Sequence, residues 1–540
     1  MKTLYYNGKI YTGETFTDCF AVEDGTFLSV RENEIYDEAI DLHGHFVCPG
    51  FNDSHLHLLG YGHSLSAARL DKHTDSLSGM LDYLKGYLAD HQLSDGEWLI
   101  GRGWNQDYFT DTDRMPDRYD LDKVSLDIPI FLTRACGHCC VINSKALQLT
   151  GLNNDSIPPE GGSFGKDHGI LNGLFYENAV ELLQSFIPLP SKEEIKKKIL
   201  LAGESLNQFG ITSVQSDDYC AFRQVPAEII NEAFQELKNE GKLQVRVYEQ
   251  CNFTDYEQLK SFIEKGNLTG KGDDWFRIGP LKIVADGSLG SRTAHLSVPY
   301  QDDPSTCGYS LFSDEQLQQM ISYAHDKGMQ IAVHAIGDQC LDQVLNAFRK
   351  ALNASFRQDH RHGIVHCQIS RKDQLETMSE LHLHIYAQSV FLDYDNHIVE
   401  ERVGKGLAST SYNWKTLMNK GLIVSNGSDA PVEIPDVMKG IECAVTRTSM
   451  DGTGPYLPEQ AFTVKEAIDS FTSSSAIASF EEDHKGLIKE GYLADFVILD
   501  QNPFTVDQHQ LHNIQVLSTF LNGNCVYKKT ETLSSDQISA

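Results

Sequence analysis

The chain has 540 residues, roughly three or four domains' worth at about 150 residues each, with 41% hydrophobic and 22% charged residues. Those proportions are globular and exclude a disordered, collagen-like or low-complexity chain. A formal net charge of −31 repels phosphate backbones and anionic lipid headgroups, so neither nucleic acid nor a membrane surface is an expected partner.

Twelve cysteines, with Cys139 and Cys140 adjacent, show no even framework of short spacings, and reduced thiols in a cytoplasm are expected. Residues Met1 to Ile10 carry a polar Tyr-Asn-Gly-Lys stretch where a secretory signal would be apolar. No apolar run approaches the ~18 residues of a membrane span. A cytoplasmic protein is the expectation.

Over the first fifty residues, short β-rich runs alternate with turns: Leu4-Tyr5-Tyr6, Asn7-Gly8, Lys9-Ile10-Tyr11, then Phe20-Ala21-Val22, Asp24-Gly25 and Phe27 to Val30. Asn-Gly and Asp-Gly between apolar runs signal hairpins. The same texture returns only in Gly491 to Asp500 and in Val516 to Tyr527, with its Asn522-Gly523 turn. Residues 1–49 and 486–530 are therefore expected to form one small β-sandwich domain, followed by a polar tail over 531–540.

Between these ends, strand-like runs alternate with helical spacings such as Ser191 to Phe209 and Asp314 to Gly328. Candidate strands are Val47–Asp53, Ile211–Gln215, Leu243–Gln250, Ile278–Val284, Gln330–His334, Gly363–His366, His384–Ser389 and Leu422–Asn426. Eight strands alternating with helices fit a closed (β/α)8 TIM barrel over residues 50–485. The first gap is far longer than the roughly 30 residues of one βαβ unit. An inserted subdomain at about 66–195 is expected there.

His55-Leu56-His57 follows the first strand run. In extended backbone, alternate side chains share a face, so both imidazoles can reach one point. Alone, the pattern serves equally well as two loop histidines. Its company decides: His334 and His366 end the fifth and sixth strands, Asp429 follows the eighth, and Lys282 lies on the fourth. All fall at or near strand C-termini, the face on which barrel enzymes build their sites. Imidazole and carboxylate are ligands for a zinc-like cation, and an incomplete shell leaves room for water.

In this order, His55-x-His57, Lys282, His334, His366 and Asp429 resemble the metal-dependent amidohydrolase superfamily, and within it the YtcJ-like (amidohydrolase 3) family. Supporting strings are Gly101-Arg102-Gly103-Trp104-Asn105-Gln106-Asp107, Gly137-His138 with Asn143 to Leu147, Lys282 to Ser288, Arg292-Thr293-Ala294, Val333 to Asp338 and Gly491 to Asp495. The resemblance spans residues 1 to about 530. It implies one or two divalent ions, zinc being the most frequent, and a carbamylated Lys282 bridging two of them. An ammonium cannot ligate a cation, whereas a carbamate behaves as a carboxylate. A structural or substrate-binding lysine is the alternative. Ala135-Cys136 stands before Gly137-His138 where the family pattern has an acidic residue, which leaves the substrate contacts open.

The expected reaction is hydrolysis of a small-molecule amide, cyclic amide, carbamate or N-formyl compound, with Asp429 holding the water, taking its proton and passing it to the leaving nitrogen. A second metal or His138 would polarise the carbonyl. Trp104 and Asp107 are candidates for the pocket mouth, with subdomain core as the alternative for Trp104. Asp286 and Arg292 could orient substrate or form an ordinary loop ion pair. Asp338 could brace a ligand histidine or cap the next helix. Cys136, Cys139 and Cys140 beside His138 raise a Cys-His nucleophile, ranked low because no residue is seen to orient the base. An ester or phosphoester hydrolase could use the same centre, and a regulatory protein of this fold would be expected to lack a ligand, which this chain does not. A homodimer is the expected assembly.

Overall fold

The computed structural model describes residues 1–30, 34–73, 75–91, 93, 96–136 and 138–530. The tail expected at 531–540 lies outside the described residues, as does Gly137. The chain forms two compact units, one of residues 1–61 with 199–540 and one of residues 62–198.

At the centre of the first unit is an eight-stranded parallel sheet: β1 Phe51–Leu56, β2 Ile211–Ser216, β3 Arg246–Asn252, β4 Phe276–Val284, β5 Ile331–Ala335, β6 Gly363–His366, β7 His384–Ala387 and β8 Val424–Asn426. Each strand pairs with its sequence neighbour, and every residue of β1, β2, β6, β7 and β8 is buried. Burial on both faces removes the apolar–polar alternation of a half-exposed strand, and β1 buries Asn52, Asp53, Ser54 and His55 between its apolar ends. Beyond β8, Asp429 N donates to His55 O at 2.8 Å, and Ser428 N donates to the Asp53 carboxylate at 3.1 Å. The eighth strand thus returns to the first, giving a (β/α)8 barrel. Gly427 permits that approach, since a Cβ there would lie 2.5 Å from His55 N.

The first strand differs from its expected span. Val47–Asp53 is two strands: Phe46–Pro49 belongs to the small β domain, and β1 starts at Phe51. The chain changes partners at Gly50, whose N–H bonds to Asp495 O, while Phe51 N bonds to Gly210 O. A Cβ at Gly50 would stand 2.3 Å from Thr212 Oγ1. His55 consequently lies inside β1 and not beyond it.

The small β domain has two sheets. One contains Thr26–Leu28, Phe20–Glu23, Lys2–Tyr6 and Glu38–Asp41; the other contains Asn524–Lys528, Val516–Leu521, Phe496–Leu499, Phe46–Pro49, Lys9–Tyr11 and Phe16–Thr17. N- and C-terminal segments thus share a sheet, and Tyr5, Phe20, Phe27 and Phe496 fill the core between the two. Tyr5 and Phe20 stack at 4.9 Å, and Phe496 and Phe520 at 4.3 Å. The Arg246 guanidinium of β3 forks onto Asp495 at 2.6 and 3.0 Å, a buried bidentate pair tying this domain to the barrel.

The second unit holds a six-stranded mixed sheet running from Gly162–Asp167 through Ile170–Glu177, Cys139–Ile142, Ile130–Arg134 and Leu99–Trp104 to Ala68–Arg69. Among the described residues, no helix is long and apolar enough to cross a membrane.

Candidate metal centre

Strand C-termini of the barrel carry the cluster. Within it, His55, His57 and Asp429 each offer a ligand atom, all three within 4.8 Å of one another. Asp429 Oδ1 is 3.4 Å from His55 Nε2 and 3.1 Å from His57 Nε2. Lys282 Nζ, 1% exposed, is 3.4 Å from His55 Nε2. The His366 ring lies 5.5 Å from that of His55 and 4.5 Å from that of His334. All six residues proposed from the sequence as ligands therefore adjoin one another.

Outward hydrogen bonds fix how these rings face. His55 Nδ1 meets Gln250 Oε1 at 2.8 Å, and the Gln250 amide is itself oriented by donation to Ser54 O at 3.1 Å. His57 Nδ1 meets Asp217 O at 2.8 Å, and His366 Nδ1 meets Gln388 Oε1 at 2.7 Å. A ring that donates from Nδ1 to an oxygen turns the lone pair of Nε2 inward, as a metal ligand must. His334 is reversed, with Nε2 donating to Gly287 O at 3.1 Å, so Nδ1 is its free nitrogen.

Burial, and then the Lys282 charge for His55 and the His334 charge for His366, hold both rings well below the ordinary imidazole pKa, in the neutral form a cation requires. For His57, burial acts the same way but is outweighed by Asp429 and Cys220, and protonation is favoured. Burial pushes the Asp429 carboxyl upward, yet His57, His55 and His366 overcome it and keep the carboxyl ionised. The pocket thus favours positive charge between His57 and Asp429. Asp429 Oδ1 is buried without a hydrogen bond of good geometry, and a divalent cation suits that oxygen and those nitrogens together. Asp429 at φ +58° and His366 at φ +75° occupy the left-handed region, strain of the kind held where a site must aim its side chains.

Of the other candidates, Trp104, Asp107 and His138 belong to the second unit. Trp104 is wholly buried in the second unit, its Nε1 donating to Leu132 O at 3.2 Å, so its ring packs core, the alternative weighed for it. Asp107 is exposed and pairs with Arg134 at 3.0 Å; His138 is exposed and meets Glu177 at 2.9 Å. Asp286 is saturated by the amides of Ile336, Gly337 and His295 at 2.8–3.0 Å, which leaves it to brace the loops after β4 and β5, with His334 Nε2 3.3 Å away. Arg292 pairs with Asp302 at 2.6 Å, the loop ion pair weighed as its alternative. Asp338 neither caps a helix nor touches His334; it accepts from Ser297 N at 2.9 Å and Arg371 Nη1 at 2.6 Å.

The sequence reasoning missed Asp217. Wholly buried just past β2, its Oδ2 lies 3.4 Å from Lys282 Nζ and accepts from Asn252 at 2.8 Å. With His57 and Cys220 it makes a second cluster of potential ligand atoms. Gln250 and Gln388 were missed as well. The strand-terminus rule that selected the histidines would have selected all three.

Residues 38–527 match the amidohydrolase family. A Bacillus subtilis (strain 168) protein named for the amidohydrolase YtcJ is 35% identical over 546 residues, covering 98% of this chain and 100% of the relative. An N-substituted formamide deformylase of Arthrobacter pascens is 26% identical over 517 residues, covering 94% and 93% of the two chains. Among solved structures, an uncharacterized metal-dependent hydrolase from Pyrococcus furiosus superposes with a TM-score of 0.76 at 30% identity, covering 94% of this chain and 100% of that one.

Proposed function

Given that the chain belongs to the amidohydrolase family, we propose that it is a metal-dependent hydrolase that cleaves a C–N bond of a small molecule: an amide, cyclic amide, carbamate or N-formyl group. The observation that carries this reading is the convergence of His55, His57 and Asp429 on one point at the barrel's C-terminal face. Likeness to an N-substituted formamide deformylase supports the bond class and puts N-formyl amines first among candidate substrates.

His55, His57, His334, His366 and Asp429 would hold the cation, with Lys282 joining them as a carbamate. Bound there, one or two divalent ions, zinc by expectation, supply Lewis acidity and water of lowered pKa. Asp429, held ionised in the pocket, takes the proton of the attacking water and delivers it to the leaving nitrogen, so that amide and water become acid and amine. His55 and His366 remain neutral throughout. Asp217 Oδ2 lies 3.4 Å from Lys282 Nζ, so a carbamate on Lys282 would set two anions side by side, and bound cations would offset their repulsion. Carbamylation and metal loading are therefore expected to rise together. The substrate is a free small molecule, reached in the cytoplasm by a homodimer.

Elemental mass spectrometry on protein expressed with zinc or manganese and purified without chelator tests this reading, beside a Lys282→Ala variant. About two equivalents in the parent, falling to one or fewer in the variant, are expected of a carbamate-linked pair. One equivalent unchanged in the variant would remove Lys282 from the centre. Loss of all stoichiometric metal, or metal-loaded protein inert on N-formyl amines, amides, cyclic amides and carbamates, would overturn the proposal.

A further inference from the structure

Weighed from sequence only as nucleophiles, Cys136 and Cys139 are also the ends of a Cys-Gly-His-Cys run. Cys136 follows strand Ile130–Arg134 and Cys139 opens strand Cys139–Ile142, the two strands antiparallel with Thr133 paired to Cys140. The two thiols differ sharply in setting. Cys136 is exposed, whereas Cys139 is 3% exposed in the core of the second unit. The Arg134 guanidinium hydrogen-bonds the Cys136 sulfur, and the His138 amide donates to the same atom. Arg134 is itself fixed by Gln106 at 2.9 Å, Asn105 at 2.8 Å and Asp107 at 3.0 Å.

An accessible thiol beside a fixed cation, with two residues between it and a sheltered partner, is the arrangement of a dithiol that attacks with one sulfur and resolves with the other. We propose that Cys136 and Cys139 form a redox-active pair that exchanges with small disulfides of the glutathione class. The Cys136 thiolate attacks one sulfur of the small disulfide, forms a mixed disulfide and expels one thiolate. Cys139 then attacks the Cys136 sulfur, its proton leaving with the second small thiol. Overall, one protein dithiol is oxidised to a disulfide, and one small disulfide is reduced to two thiols.

The charge balance agrees with these roles. Burial raises the Cys136 thiol, but Arg134 and the His138 amide together outweigh it and bring the thiol below the ordinary cysteine value. Burial and the nearby Cys136 push Cys139 up to about 12. Oxidation removes the Cys136 sulfur from Arg134 and leaves Asp107 as its anion, so the Asn105–Asp107 turn that Arg134 holds is the element the redox state reaches.

Cys525 provides an internal control, being exposed but held above the ordinary thiol value by burial of its sulfur. The reduced full-length chain is exposed to oxidised glutathione at pH 7, quenched in acid, alkylated and mapped by peptide mass. A Cys136–Cys139 disulfide is expected, with Cys136 consumed about tenfold faster than Cys525. Cys139→Ala should trap glutathione on Cys136, and Cys136→Ser should leave Cys139 reduced. Because Cys139 is a core position, Arg134→Gln gives a second test at an accessible one: the rate at Cys136 should fall several-fold. Cys136 reacting no faster than Cys525, or no intramolecular disulfide in the folded parent, would overturn the proposal.

Discussion

Acid should attack this protein at the face of the barrel opposite the proposed metal centre. His360 and His362 precede β6, His384 opens β7, and His325 ends the helix Asp314–Asp326 that leads toward β5. All four are nearly or wholly buried, and His360 and His362 each accept an amide hydrogen through Nδ1. Ile331 N donates to His362 Nδ1 at 3.1 Å, and His362 Nε2 faces His325 Nδ1 at 2.9 Å. His362 N donates to His360 Nδ1 at 2.9 Å, and His360 Nε2 meets Leu381 O at 3.1 Å. A proton added to His362 Nδ1 or His360 Nδ1 would point at an amide hydrogen. Burial, and then Arg361, holds His384 at about 3; burial dominates at His360, held at about 4. Unfolded, each titrates near 6.5, so below that pH the unfolded chain binds more protons and stability falls with pH. At about 1.36 kcal/mol per pH unit, lowering the pH from 6.5 to 4 costs about 3 kcal/mol at each of the two rings. The sum, about 6 kcal/mol, is comparable with the whole stability of many domains. Melting temperature followed by circular dichroism from pH 7 to 4, in the parent and a His360→Gln/His384→Gln double variant, measures it. The variant should start lower at pH 7 and lose markedly less on acidification. Parallel curves for the two proteins, or imidazole NMR signals from these rings titrating near pH 6, would refute the reasoning.

Asp429→Asn should fold yet lose about 10²–10⁴-fold in turnover of whichever amide the parent hydrolyses; steady-state kinetics at matched metal content decide it. Gly427→Ala places a methyl 2.5 Å from His55 N and 2.7 Å from His55 O, and should cost about 1–3 kcal/mol while weakening metal retention; thermal melting and metal analysis read both. Asp495→Ala strands the buried Arg246 guanidinium, loses the bonds at 2.6 and 3.0 Å and should destabilise by about 3–5 kcal/mol, visible as a lower melting temperature. Chelation should lower the melting temperature of the loaded protein and zinc should restore it, because a ligand of the folded state adds its binding free energy to stability; a melting temperature indifferent to both would count against a metal at this centre.

The sequence by itself determined the barrel and the grouping of its polar residues. Short strand-like runs alternating with helical spacings indicate a parallel barrel, and a fixed strand order with ligand types at C-terminal ends names one face of one fold. That is why His55, His57, Lys282, His334, His366 and Asp429 could be singled out together. Tertiary structure decided what spacing does not encode. The break at Gly50 depends on which strand receives each amide, so the run Val47–Asp53 does not show by itself that it is two strands. Asp217 draws its importance from Lys282, 3.4 Å away yet remote along the chain. Asp286 and Asp338 proved to be braces because groups they meet come from other loops: the Ile336 and Gly337 amides for one, the Ser297 amide and Arg371 guanidinium for the other. Asp495 shows the division within one residue: its Gly-Tyr-Leu-Ala-Asp string is plain in the sequence, but its pairing with Arg246 of β3 exists only once the β domain has closed against the barrel. Local pattern fixes which faces are buried, whereas the partner of a buried charge is chosen by long-range packing.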